Sequence, residues 1–74
     1  MKTLKEARKE GREHIQKYNS RYCYICFRKD CGFYISSMVD SYAVFDLYAG
    51  GELKEITYTE HARRFHQERK RRRR

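Results

Sequence analysis

The stretch that decides the fold is Arg21–Ser37, RYCYICFRKDCGFYISS, which holds all three cysteines of the chain at Cys23, Cys26 and Cys31. It admits two readings, a metal-binding loop or a β-hairpin that contains cysteine. The spacing Cys23-Tyr-Ile-Cys26 is that of zinc ribbons, with Cys31 nearby and His61 and His66 as further ligands. Against this, a chelating C-x2-C needs a tight turn, whereas Tyr24 and Ile25 are strong strand formers. On a strand, residues three apart point to opposite faces. His61 and His66, five apart on a helix, are separated by about 140° around its axis. A three-thiolate site with one histidine is the form of zinc site the spacing leaves open. The sequence favours the hairpin, with no metal or cofactor: Cys23 a small core hydrophobe, Cys26 among tyrosines, Cys31 an exposed thiol on the turn.

Working outward, the period of two continues. FYISS (33–37) is a second predicted strand, MVDS (38–41) a turn, and YAVFDLYA (42–49) a third strand. Gly50-Gly51 marks a tight reversal, and ELKEITY (52–58) supplies a short fourth strand. Upstream, TLKEARKEGREHIQKYN (3–19) reads as a helix. Thr3 and Glu6 have capping-box spacing, and Leu4, Ala7, Gly11, Ile15 and Tyr18 form one apolar stripe. Gly11 within that stripe weakens the helix, so the sequence assigns it to a close approach by another backbone. Asn19 and Ser20 supply the stop. Downstream, Thr57 and Glu60 repeat the capping spacing, and Tyr58, Ala62 and Phe65 form the stripe of a second helix. The predicted fold is α+β: an N-terminal helix, an antiparallel three- to four-stranded β-meander, and a C-terminal basic helix. Residues 1–68 make one domain, and 69–74 a basic extension whose arginines are expected to repel one another and fray.

The alternation sorts the strand residues into two sets. Cys23, Ile25, Phe27, Phe33, Ile35, Ala43, Phe45, Leu47 and Ile56 form an apolar face for the helices. Tyr22, Tyr24, Cys26, Tyr34, Ser36, Tyr42, Asp46 and Tyr48 form a tyrosine face, predicted to be the wet side of the sheet.

Charge is uneven. Of the net +8, residues 59–74 carry eight basic side chains against Glu60 and Glu68, and the first 58 residues carry ten against eight acidic ones. The basic character thus belongs to the C-terminus, which suits a phosphate backbone, an anionic membrane surface or an acidic protein. Arg forks onto phosphate or carboxylate more readily than Lys. A 74-residue chain buries only about 60–65% of its unfolded surface, which leaves little room to desolvate a catalytic group. No Gly-rich phosphate loop or nucleophile spacing is present; Gly50-Gly51 runs into Glu52, and His14 lies at the edge of the first helix's apolar stripe. The sequence therefore predicts a non-enzymatic, cytoplasmic protein in a reducing compartment, with no membrane span.

The helix–strands–helix order in about 70 residues resembles that of the double-stranded RNA-binding domain, which implies a second helix on phosphates and a first on a minor groove. This chain departs from that family at the start of the last helix. TYTEHARRF stands where the family has a Gly-rich loop and a lysine pair, leaving Arg63 and Arg64 as the nearest substitutes.

The favoured function is a nucleic-acid-binding accessory protein. Arg63, Arg64, Arg69, Lys70, Arg71 and Arg72 would hold phosphate, Lys5, Arg8, Lys9 and Arg12 of the first helix would extend the footprint, and Tyr22, Tyr24, Tyr34, Tyr42 and Tyr48 would stack bases. The alternative is an inhibitor or adaptor, of the kind viruses and phages encode, whose tyrosines and basic helix dock on an acidic surface of a larger host protein that itself handles nucleic acid. An exposed tyrosine face can equally close a homodimer.

Overall fold

In the computed structural model, which describes residues 1–72, the elements follow in the order α1 (Leu4–Tyr18), β1 (Tyr22–Arg28), β2 (Gly32–Ser36), β3 (Ala43–Tyr48), β4 (Leu53–Glu55) and α2 (Tyr58–Arg72). The side chains of His61, Phe65 and residues 68–72 lie outside the described part, as do Arg73 and Arg74 entirely. The α+β class is that predicted: four antiparallel strands between two helices.

Helix α1 starts at a complete capping box. Thr3 Oγ1 accepts from the Glu6 amide at 3.2 Å, and Glu6 Oε1 accepts from the Thr3 amide at 3.1 Å. It ends at Asn19, whose left-handed backbone (φ 51°, ψ 42°) terminates the helix while the Ser20 amide donates to the Ile15 carbonyl at 2.9 Å. Ala7, Gly11 and Ile15 bury the stripe against Cys23, Ile25 and Leu47, with Leu4, Phe33, Ile35, Phe45 and Leu53 around them. What comes close to Gly11 is the sheet's side chains, Leu47 and Cys23, rather than a backbone.

The strand order is β2-β1-β3-β4, which is not a meander. β1 pairs with β2 on one edge and β3 on the other, both antiparallel, so β2 and β3 run parallel to each other with β1 between them. Residues 37–42, read from sequence as a plain turn, must therefore carry the chain across β1. Val39 is buried in that crossing, packed with Tyr24, Cys26 and Ala43 on the face away from α1, with Tyr34 and Ile56 at the margin. The crossing is fixed at both ends: Tyr34 Oη donates to Asp40 Oδ2 at 2.9 Å, and the Tyr42 amide donates to Asp40 Oδ1 at 2.8 Å. A central strand covered on both faces is apolar on both, and β1 buries Cys23, Tyr24, Ile25 and Cys26 in succession.

Two face assignments differ from the alternation. Ile25 pairs with Phe45 but Cys26 pairs with Ala43, so the register slips by one residue at a bulge and Ala43 turns to the Cys26 side. Phe45 pairs with Glu55, which puts Ile56 on the opposite face from Phe45. The outer edge of β2 is partly closed by the N-terminus, where the Phe33 amide donates to the Lys2 carbonyl at 3.0 Å. Gly32 (φ +79°) permits this approach; a Cβ there would lie 2.6 Å from the Lys2 carbonyl oxygen.

Helix α2 begins with the Thr57 hydroxyl accepting from the Glu60 amide at 3.2 Å. Its predicted stripe is not seated as a unit: Tyr58 is 89% exposed, and Ala62 is half-buried. The Phe65 side chain is outside the described residues. The helix runs through Arg72.

Candidate functional site

The tyrosine face is not the wet platform the alternation predicts. Asp46 is 1% exposed and Tyr24 3%, and Cys26 is fully buried beneath the crossing. Tyr34 is held by Asp40, and Tyr48 Oη donates to Asp46 Oδ2 at 3.4 Å. Of the five tyrosines expected to stack bases, only Tyr22 (44%) and Tyr42 (47%) are exposed. The reason is physical cover. Val39 closes one half of the face and α2 reaches the other half through Arg64.

Arg64 carries that link. Its Nη1 donates to Asp46 Oδ1 at 2.7 Å and Oδ2 at 2.6 Å, and its Nη2 donates to Glu60 Oε1 at 2.6 Å. Glu60 and Arg64 stand one helical turn apart, so a single guanidinium joins its own helix to a buried carboxylate of β3. The hydrogen bonds that Asp46 accepts hold the Arg64 guanidinium above its ordinary pKa, against the opposing effect of desolvation. Burial, with the Tyr22 hydrogen bond second, raises the neighbouring Tyr24 phenol. Arg64, grouped from sequence with the phosphate-binding arginines, is thus committed to carboxylates. Glu60, counted in the sequence as a capping residue and an opposing charge, is one of its partners.

The other basic residues fall into two groups. On α1, Lys5, Arg8, Lys9 and Arg12 are exposed, but Arg8 also donates from Nε (2.8 Å) and from Nη2 to the Gly51 carbonyl, tying α1 to the β3–β4 turn. On α2, Arg63 is exposed. Arg69, Lys70, Arg71 and Arg72 lie on the last turns of the helix backbone, with side chains outside the described residues.

A second constellation, unforeseen in the sequence, surrounds the β1–β2 turn. The Arg28 guanidinium carbon lies 5.0 Å over the Tyr42 ring, and Arg28 Nε forms an ion pair with Asp30 Oδ1 at 3.2 Å. With Phe27 and Lys29 these residues line an open cavity of about 460 Å³. The only sequence signal was the basic-acidic turn RKD itself. Tyr42 is brought there by the crossing that the sequence read as a turn.

Cys23 lies under α1 and Cys26 on the opposite side of the sheet, so the two thiols cannot converge on one ion. Among the described residues no group of three or more His, Cys, Asp or Glu is placed to hold a metal. Burial raises the Cys23 thiol and pushes the Cys26 thiol up to about 12, with the charge of Asp40 adding to the shift. Cys31 is exposed. Alkylation near pH 8 is accordingly expected to label Cys31 alone in the native protein, and all three cysteines in urea, counted by intact mass. Early native labelling of Cys26 would contradict the burial. Because the unfolded chain loses its Cys23 and Cys26 protons near pH 8.5 and the folded chain holds them, stability should fall as pH rises above that value, up to about 12.

Compared with known proteins, the chain matches no family model, no curated protein and no solved structure. The likeness to double-stranded RNA-binding domains is therefore one of element order alone, and the fourth strand and the strand order depart from it. Among the described residues no helix is long and apolar enough to cross a membrane.

Proposed function

We propose that the protein is a non-enzymatic nucleic-acid-binding accessory protein whose basic helix α2 grips the phosphate backbone. The observation that carries this reading is the Asp46–Arg64–Glu60 anchor near the start of α2. It fixes the helix to the sheet at Arg64, with Arg63 exposed one residue before it and residues 69–72 on the helix beyond it. At 1.5 Å per residue the helix carries Arg72 about 12 Å past the anchor. Basic charge concentrated on the helix beyond a fixed point suits counterion release at phosphates. Lys5, Lys9 and Arg12 on α1 extend the positive surface. Tyr24, Tyr34 and Tyr48 are given no stacking role, since burial and hydrogen bonds occupy them.

The test is fluorescence anisotropy against short single- and double-stranded DNA and RNA over a salt series. Neutralising about five phosphates on duplex gives a log–log salt slope of about −4.5. Deleting residues 69–74 is expected to remove most of the affinity, and Arg63→Ala to reduce the slope by about one unit. Salt-independent affinity would reject the reading. Capture of an acidic protein that survives nuclease treatment, with no measurable oligonucleotide binding, would replace it with the inhibitor or adaptor role.

A further inference from the structure

We propose that the cavity at the β1–β2 turn, bounded by Phe27, Arg28, Lys29, Asp30 and Tyr42, is a binding pocket for one nucleotide with an unpaired base. The inference rests on the nucleic-acid reading for its biological setting, but its site shares no residue with the basic helix. Its chemistry follows from how the turn is built. Tyr42 is held by its backbone at both ends: its amide donates to Asp40 and its carbonyl accepts from the Phe27 amide at 3.0 Å. Its backbone is thereby fixed, and its ring is nearly half exposed. Phe27 is fixed by contact with Phe33, the ring centroids 4.8 Å apart, and is 37% exposed. Arg28 is held over Tyr42 by the carboxylate of Asp30. The pocket therefore presents two aromatic rings and a guanidinium as flat surfaces.

The volume of about 460 Å³ lies within the range of small-ligand pockets, and the walls combine aromatic area with two cations and one carboxylate. Each part has a counterpart in a nucleotide. An unstacked base finds a π-face on Tyr42 or Phe27 and a guanidinium plane on Arg28. The phosphate is offered Lys29, which is exposed at the rim. Asp30 is placed to accept an N–H from a base edge. Inorganic phosphate would leave the rings unfilled, and an uncharged ring would leave Lys29 unpaired. A duplex, whose bases are already stacked, cannot enter. The pocket thus assigns the proposed binding to single strands or unpaired positions, which the basic helix does not distinguish.

The experiment is an NMR titration of the full chain, following backbone amides and aromatic carbons, with AMP, with inorganic phosphate and with a short single-stranded oligoadenylate. AMP at millimolar concentration is expected to shift Phe27, Arg28, Lys29, Asp30 and Tyr42, and the oligoadenylate to shift the same residues at lower concentration. Phosphate alone should leave the aromatic carbons unmoved. The AMP shifts should persist when residues 69–74 are deleted. Tyr42→Ala should weaken AMP binding roughly tenfold, a typical loss for one stacked base. Arg28→Ala, at an exposed turn, serves as the second variant and should weaken it severalfold. No AMP shifts at these residues, or equal AMP binding by both variants, would overturn the pocket. If salt-dependent oligonucleotide binding through residues 69–74 survived that result, the pocket alone would fall. If AMP bound as described while the deletion left oligonucleotide affinity unchanged, the basic-helix reading would fall and the pocket would stand.

Discussion

Arg64→Ala should destabilise the protein by about 3 kcal/mol, a large share of what a domain of this size possesses. The substitution leaves Asp46, a carboxylate with 1% exposure, in the interior without the two hydrogen bonds that compensate its charge. Breaking one partner out of a buried pair typically costs about 3–5 kcal/mol, because the remaining charge stays desolvated. The lower end applies here. The Arg64 side chain is itself 23% exposed, so water enters when it is removed, and Tyr48 retains a weak contact with Asp46. Urea unfolding monitored by tyrosine fluorescence and far-UV circular dichroism measures the loss. The attribution is checked by removing both charges. Asp46→Leu with Arg64→Met replaces the pair by apolar groups and should recover most of the stability, since the cost lies in the orphaned charge and not in the absent ion pair. An Arg64→Ala protein within about 0.5 kcal/mol of the parent, the range of ordinary surface substitutions, would show that Asp46 is not held as described. Arg63→Ala is the internal control. One residue earlier and exposed, it should leave stability unchanged and act only on the salt dependence of binding.

The contrast between Arg63 and Arg64 also marks how far the sequence could be read. Local chemistry was legible: Thr3 and Glu6 gave the start of α1, Asn19 its end, and Gly50-Gly51 the β3–β4 reversal. The alternation in RYCYICF correctly separated Cys23 and Ile25 from Tyr24 and Cys26, which decided the hairpin over a metal loop. A period of two states which face a side chain takes and nothing about what lies over that face. Burial of the tyrosine side depends on Val39 crossing β1, and the residues around it, Met38, Asp40 and Ser41, carry the local signature of a turn. The bulge opposite Ile25 and Cys26 changed the face of Ala43 without any glycine or proline to announce it. Asp46 was placed on the tyrosine face with nothing to mark it, since its partner is 18 residues away on another element, where Arg64 looked like one more member of a basic run. For the basic tail the situation is reversed. Its charge is plain from composition, and its reach depends on an anchor that only the fold supplies.

Gly11→Ala should also destabilise, although Ala is the better helix former by about 0.5–1 kcal/mol at an interior position. A Cβ on Gly11 would stand 2.3 Å from Leu47 Cδ2, 3.1 Å from Cys23 Sγ and 3.5 Å from Ile35 Cγ2. Leu47 is fully buried between α1 and the sheet, so its methyl cannot swing into solvent. Either Leu47 leaves its rotamer or α1 lifts away from β1 and β3. Overpacking of this kind costs about 1–3 kcal/mol, which exceeds the gain in helix propensity and leaves a net loss of about 1–2 kcal/mol. Gly11→Val adds two more carbons and a β-branched penalty within the helix, and should leave the protein largely unfolded at room temperature. The decisive measurement is the sign change in a second background. Leu47→Val withdraws the methyl nearest to Gly11 and by itself should cost about 1 kcal/mol as a cavity. In that background Gly11→Ala fills part of the space and retains its helical advantage, so it should become neutral or stabilising. Additive effects in this cycle, or a Gly11→Ala protein more stable than the parent, would mean that α1 does not lie as close to Leu47 as described. The same closeness fixes the direction in which the outer face of α1 presents Lys5, Lys9 and Arg12. A helix lifted by Gly11→Ala should therefore lose stability first, and only then, through the Arg8 contact with the Gly51 carbonyl, the placement of its positive surface.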